Sequence, residues 1–156
     1  MTILEVELGK IARSKGATVS LAESCTGGLA SDLITNVPGS SAYFLGAVVC
    51  YSDRSKVEML GVKEGTLAYQ GAVSEQCALE MAAGVRNKFH TSIGVSVTGI
   101  AGPGGERPGK PVGLVYFAID DGENIWAERM LFEGERVVVK RLAADYLIDL
   151  IIRALK

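Results

Sequence analysis

The segment Ala17-Thr18-Val19-Ser20-Leu21-Ala22-Glu23-Ser24-Cys25-Thr26-Gly27-Gly28 holds the change of period on which this chain turns. Ala17 to Ala22 is short and apolar enough for a strand. Glu23 to Gly28 is polar and ends in two glycines. Leu29, Ala30, Leu33, Ile34 and Val37 then recur at helical spacing until Pro38-Gly39. A strand running straight into a helix is half of a crossover, the connection that parallel strands require.

The flanking segments extend this alternation. Leu4, Leu8, Ile11 and Ala12 give an N-terminal helix its inner face, with Glu5, Lys10 and Arg13 turned away and a stop at Gly16. Tyr43 to Tyr51 is a nearly continuous apolar run, expected to be a buried strand. Ser52-Asp53 starts a short helix, Arg54 to Leu60, and a second short helix is expected near Glu64 to Tyr69. Ser74 suits the N-cap of a longer helix with Ala78, Met81, Ala82, Val85 and Phe89 inward. Ile93, Val95 and Val97 alternate with smaller residues as a strand. Val112 to Ile119 and Ile125 to Phe132 form a hairpin about Asp120-Asp121-Gly122-Glu123. A final helix spans about Glu135 to Leu155, with Leu142, Tyr146, Leu150, Ile151 and Ala154 inward. The expectation is one α/β domain over residues 1–156 with a mixed sheet, parallel through the crossovers and antiparallel through the hairpin.

Composition excludes several functions. The chain has 156 residues, a length that suits one domain with a real core. Sixteen Lys and Arg against 18 Asp and Glu leave a net charge of -2, which argues against a nucleic-acid surface but leaves room for a local anion pocket. One histidine, His90, cannot supply a His-based zinc site, and Cys25, Cys50 and Cys77 form no CxxC pair, so no metal is expected. An odd cysteine count suggests a reducing, cytoplasmic setting. Met1 to Glu7 has early acids and no apolar leader core, and no uncharged run approaches a membrane span.

Ser24 is the most suggestive residue. At the expected junction of strand and helix, it either caps the helix or attacks a carbonyl while the amides of Cys25 and Thr26 hold the oxyanion. Gly27 and Gly28 let a substrate approach the backbone. His90 sits at a helix end, where it suits the dipole better than catalysis. A lysine base therefore becomes the alternative. Lys56 shares a stripe with Leu60, and either snorkels at the surface or turns inward to act as a neutral base. Tyr51 is either a core aromatic or a hydrogen-bond partner in the same site. Gly99 to Gly105, which includes Gly102 and Gly104, is a glycine-dense loop after a strand that suits contact with an anion, without the Walker pattern. Lys110 shares that loop. Arg136 and Arg141 either pair with a phosphate or belong to a solvated face. Cys50 and Cys77 read as core.

Ala22-Glu23-Ser24-Cys25-Thr26-Gly27-Gly28 resembles the signature of the CinA C-terminal domain family, the competence/damage-inducible proteins. Tyr51-Ser52-Asp53-Arg54-Ser55-Lys56 with Met59-Leu60-Gly61-Val62, Gly71-Ala72-Val73-Ser74-Glu75, and Thr98 to Gly105 closed by Lys110-Pro111-Val112-Gly113 are similar to its further blocks, in order and over nearly the whole chain. The family more often has a serine and acidic residues where this loop reads Glu106-Arg107-Pro108-Gly109. The resemblance is to the standalone form, without the longer N-terminal domain of many members. It implies a three-layer α/β/α sandwich, often dimeric, so a homo-oligomer, preferentially a dimer, is expected. It also implies a cytoplasmic amidase that converts nicotinamide mononucleotide to nicotinate mononucleotide and ammonia with no cofactor. Ser24 would be the nucleophile, Lys56 the base, Tyr51 the family tyrosine and Thr98 a supporting hydroxyl. The alternative is a non-catalytic pyridine-nucleotide-binding or regulatory module linked to competence or DNA damage.

Overall fold

The computed structural model describes residues 3–156. Met1 and Thr2, which begin the segment read above as lacking a leader, lie outside the described residues. The elements follow as α1 (Ile3–Lys15), β1 (Val19–Glu23), α2 (Leu29–Thr35), β2 (Phe44–Val49), α3 (Asp53–Leu60), α4 (Glu64–Tyr69), α5 (Glu75–Phe89), β3 (Ile93–Gly99), β4 (Leu114–Asp120), β5 (Ile125–Leu131) and α6 (Arg136–Leu155). The strands form one sheet in the order β2-β1-β3-β4-β5. β1 is parallel to β2 and β3, while β3–β4 and β4–β5 are antiparallel. The expected mixed sheet is thus present.

Two helical layers cover it, completing the α/β/α sandwich. Leu8, Ala12, Leu33, Ile34, Leu147 and Ile151 from α1, α2 and α6 pack with Val19, Leu21, Val95, Val97 and Phe117 on one face. The opposite face takes α5, where Cys77, Met81 and Val85 meet Ala22 and Val48. This face carries small strand residues because the helix lies close. A Cβ on Gly94 would stand 2.4 Å from the Arg86 side chain and 2.5 Å from the Ala82 carbonyl. Ser96 Oγ donates to the Ala78 carbonyl at 2.6 Å, so the hydroxyl is satisfied within the interface.

Some expectations need correction. The apolar run of β2 lies on an edge of the sheet, with Leu45 and Val49 exposed, because strand hydrophobicity does not report which neighbours a strand finds. Glu5, expected outward, is fully buried beside Arg141 of α6, their charged atoms 4.0 Å apart. Leu142, expected inward, is exposed, and Val139, Ala143 and Leu147 take the core positions. α2 begins at Leu29, with Gly28 as its N-cap, so Ser24 is not at a helix start.

Candidate active site

The carboxyl ends of the three parallel strands meet on one side of the sheet, where open α/β sheets place their ligands. Glu23 at the end of β1 pairs with Val49 of β2 and Val97 of β3. The next residues are tied across the sheet: Ser24 N donates to Val97 O at 3.0 Å and Cys50 N to Glu23 O at 2.9 Å. Strand register therefore places Ser24 beside the segment Cys50-Tyr51-Ser52 that leads into α3. Ser52 caps α3 by accepting from Ser55 N at 3.1 Å, which starts the helix early enough to bring Lys56 back over β1.

Lys56 is 1% exposed. Its Nζ donates to Ser24 Oγ at 3.1 Å, to the Cys50 carbonyl at 2.9 Å and to the Tyr51 carbonyl at 3.5 Å. The two carbonyls only accept, whereas the hydroxyl accepts or donates. An uncharged amine thus satisfies the set with two N–H groups and its lone pair, and an ammonium satisfies it with three N–H groups.

Glu23, not singled out from the sequence, builds the turn around Ser24. Its buried carboxylate accepts from Thr26 Oγ1 at 2.7 Å, Ala30 N at 2.9 Å, Ser31 N at 3.0 Å and Ser31 Oγ at 2.6 Å. It occupies the amides at the start of α2 and anchors the loop between strand and helix. An acid ending an apolar strand, with hydroxyls three and eight residues on, was the available signal.

A cleft of about 680 Å³ opens above the pair. Ser24, Cys25, Tyr51, Lys56, Thr98, Gly99, Gly102, Gly104, Gly105 and Arg136, all anticipated from the sequence, line it. Thr98 Oγ1 donates to the Ala72 carbonyl at 2.9 Å, drawing the segment before α5 against β3. Arg136 reaches across the mouth, donating from Nη1 to the Gly102 carbonyl and from Nη2 to the Tyr51 hydroxyl, both at 2.8 Å. Tyr51 presents its carbonyl to Lys56 and its hydroxyl to Arg136.

Four expected site residues fall elsewhere. Arg141 pairs with Asp145 at 3.0 Å and faces α1, so it is not part of the cleft. Thr26 is turned into the Glu23 network. Gly27 and Gly28 do not line the cleft; both have positive φ, 62° and 100°, and serve the turn. Cys25 does line it, but burial pushes its thiol up to about 12, so it stays protonated and unreactive at neutral pH. Cys50 and Cys77 are buried, as expected. Among the described residues, no group of three or more His, Cys, Asp or Glu is placed to hold a metal, and no helix is long and apolar enough to cross a membrane.

Comparison with known proteins gives a consistent family. A model described as the CinA C-terminal domain matches residues 1–155. A putative competence-damage inducible protein of Moorella thermoacetica is 47% identical over 153 residues, covering 98% of this chain and 37% of the relative. A CinA-like protein of Chloroherpeton thalassium is 44% identical, covering 95% of this chain and 36% of the relative. The chain therefore spans little more than a third of the curated relatives it matches. Among solved structures, the competence damage-inducible protein A of Klebsiella pneumoniae superposes with a TM-score of 0.95 at 33% identity, covering 97% of this chain and 94% of that one. The competence/damage inducible protein CihA of Agrobacterium tumefaciens gives 0.92 at 37% identity, with 99% of each chain covered.

Proposed function

The chain belongs to the CinA C-terminal domain family, and from that premise we propose that it is a nicotinamide-nucleotide amidase. It would hydrolyse the carboxamide of nicotinamide mononucleotide to nicotinate mononucleotide and ammonia. The observation that carries this reading is the buried contact of 3.1 Å between Lys56 Nζ and Ser24 Oγ beneath a cation-lined cleft. A volume of about 680 Å³ suits a ligand of this size.

In this mechanism the uncharged Lys56 amine takes the Ser24 hydroxyl proton as Oγ bonds to the carboxamide carbon. The amide of Cys25, which lines the cleft and has no backbone acceptor among the described residues, stabilises the oxyanion. Collapse breaks the C–N bond, and the Lys56 ammonium returns its proton to the nitrogen that leaves as ammonia. Water then attacks the Ser24 ester, giving a proton to Lys56. Ser24 Oγ leaves and recovers its proton from Lys56, and the carboxylic acid set free gives up its remaining proton to solvent as the carboxylate. The carbonyls of Cys50 and Tyr51 hold Nζ throughout the cycle.

Purified protein incubated with nicotinamide mononucleotide should release ammonia and nicotinate mononucleotide in equal amounts, and Ser24→Ala should abolish release. A wild-type protein that gains thermal stability from the nucleotide yet frees no ammonia would be a binding module instead.

A further inference from the structure

Four cationic side chains line the cleft, Lys56, Arg107, Lys110 and Arg136, against one acid, Asp53. Three already have protein partners. Lys56 is held by Ser24 and the Cys50 carbonyl. Arg136 is divided between Gly102 and Tyr51. Lys110 Nζ donates to the carbonyl of Gln70, the residue that ends α4. The exposed Arg107 guanidinium makes no hydrogen bond or ion pair among the described residues. Its neighbour Glu106 is not part of the cleft lining.

The backbone under Arg107 is well held. Arg107 N donates to Lys110 O at 3.0 Å and Lys110 N to Arg107 O at 2.8 Å. Between them lie Pro108 and Gly109, the latter at φ 75°, the proline–glycine pairing of a tight turn. The Lys110–Gln70 bond ties this turn to α4. An uncommitted guanidinium on an anchored turn, facing a cleft whose other cations are engaged, is built for an anion from outside.

We propose that Arg107 is the residue that reads the substrate's phosphate and makes the site select a mononucleotide over the nucleoside. The inference rests on the amidase reading for the identity of the substrate. A mononucleotide carries its carboxamide and phosphate at opposite ends, and here the buried Ser24–Lys56 pair and the exposed Arg107 lie at the floor and rim of one cleft. The planar guanidinium offers the phosphate two parallel N–H donors, which a lysine cannot match.

The test compares wild type, Arg107→Ala and Arg107→Lys on nicotinamide mononucleotide and on nicotinamide riboside, the same molecule without phosphate. Arg107→Ala should raise KM for the mononucleotide about 10- to 100-fold with little change in kcat, and leave kcat/KM for the riboside unchanged. Arg107→Lys should fall between. An unchanged KM for the mononucleotide, or an equal loss on both substrates, overturns the proposal. Binding of the mononucleotide to Ser24→Ala and to Ser24→Ala/Arg107→Ala, followed by calorimetry, separates this inference from the amidase reading. A loss of affinity of about 10-fold or more in the double variant supports the phosphate role even if the wild type releases no ammonia. Equal affinities refute it even if the wild type is active.

Discussion

The floor and the rim of the cleft are built by different means. On the floor, Ser24, Lys56 and Thr98 are buried: the Val97 carbonyl holds the Ser24 main chain, and the Cys50 and Ala72 carbonyls hold the Lys56 and Thr98 side chains. On the rim, Tyr51 is 60% exposed and leans on Arg136, while the Arg107 side chain makes no hydrogen bond or ion pair among the described residues. A side chain whose partners are backbone atoms is positioned as soon as the sheet registers. An exposed one is positioned by its neighbours and by the ligand. Chemistry belongs on the first kind of support and graded recognition on the second.

The largest effect should come from breaking the floor. Ser24→Ala and Lys56→Arg should each lower ammonia release by about 1,000-fold or more, and the double variant by hardly more than either single one, since the two act as a unit. Additive losses, measured as kcat on the mononucleotide, would mean that the pair is not one device. Next comes the turn that carries Ser24. Glu23→Ala strips four donors of their shared acceptor, and should cost about 3 kcal/mol, a fall in Tm of roughly 6–12 °C by thermal melting.

Rim changes should be milder. Tyr51→Phe removes one partner of Arg136 and leaves the Gly102 carbonyl in place, so KM should rise several-fold, by roughly the value of one exposed hydrogen bond. A loss as large as that of Lys56→Arg would place the phenol in the chemistry and erase the distinction between floor and rim.

A control lies away from both regions. The Arg153 hydrogen bond holds the Glu128 carboxyl below its ordinary range, against the opposing effect of burial. Because the folded state favours ionised Glu128, its stabilisation is complete above the ordinary value near 4.5 and is lost as pH falls through the lower folded value. Glu128→Gln should therefore cost up to about 1 kcal/mol at neutral pH, with the gap to wild type narrowing in acid and kcat unchanged. The smallest effect is expected at Cys25. Its thiol, pushed up to about 12, should resist alkylation at pH 8, and Cys25→Ala should keep most of the activity.

Much of this was legible in the chain. The caps at Ser52 and Ser74 and the short helix Glu64–Tyr69 are local features with local causes, and all stand where the residues placed them. The errors share another cause. Arg141 resembles Arg136 in sequence, and only the Asp145 and Glu5 beside it turn it away from the cleft. Leu142 fits a helical stripe, yet it stays 39% exposed while Val139, Ala143 and Leu147 are buried. Glu23 went unread because three of its four donors, Ala30 N, Ser31 N and Ser31 Oγ, arrive only after the chain reverses at Gly27 and Gly28.

The sequence by itself determined the order of strands and helices, the mixed sheet and the residue types available for chemistry, because period, caps and turns act over a few residues. The lone histidine directed attention to a serine and a lysine for the same local reason. Only the tertiary structure decided that Lys56 is buried against Ser24, 32 residues away, that β2 is an edge, and that among the described residues the Arg107 side chain finds no partner while the cleft's other cations do. Those are properties of what packs against a residue, and sheet register sets them over distances that no local pattern spans.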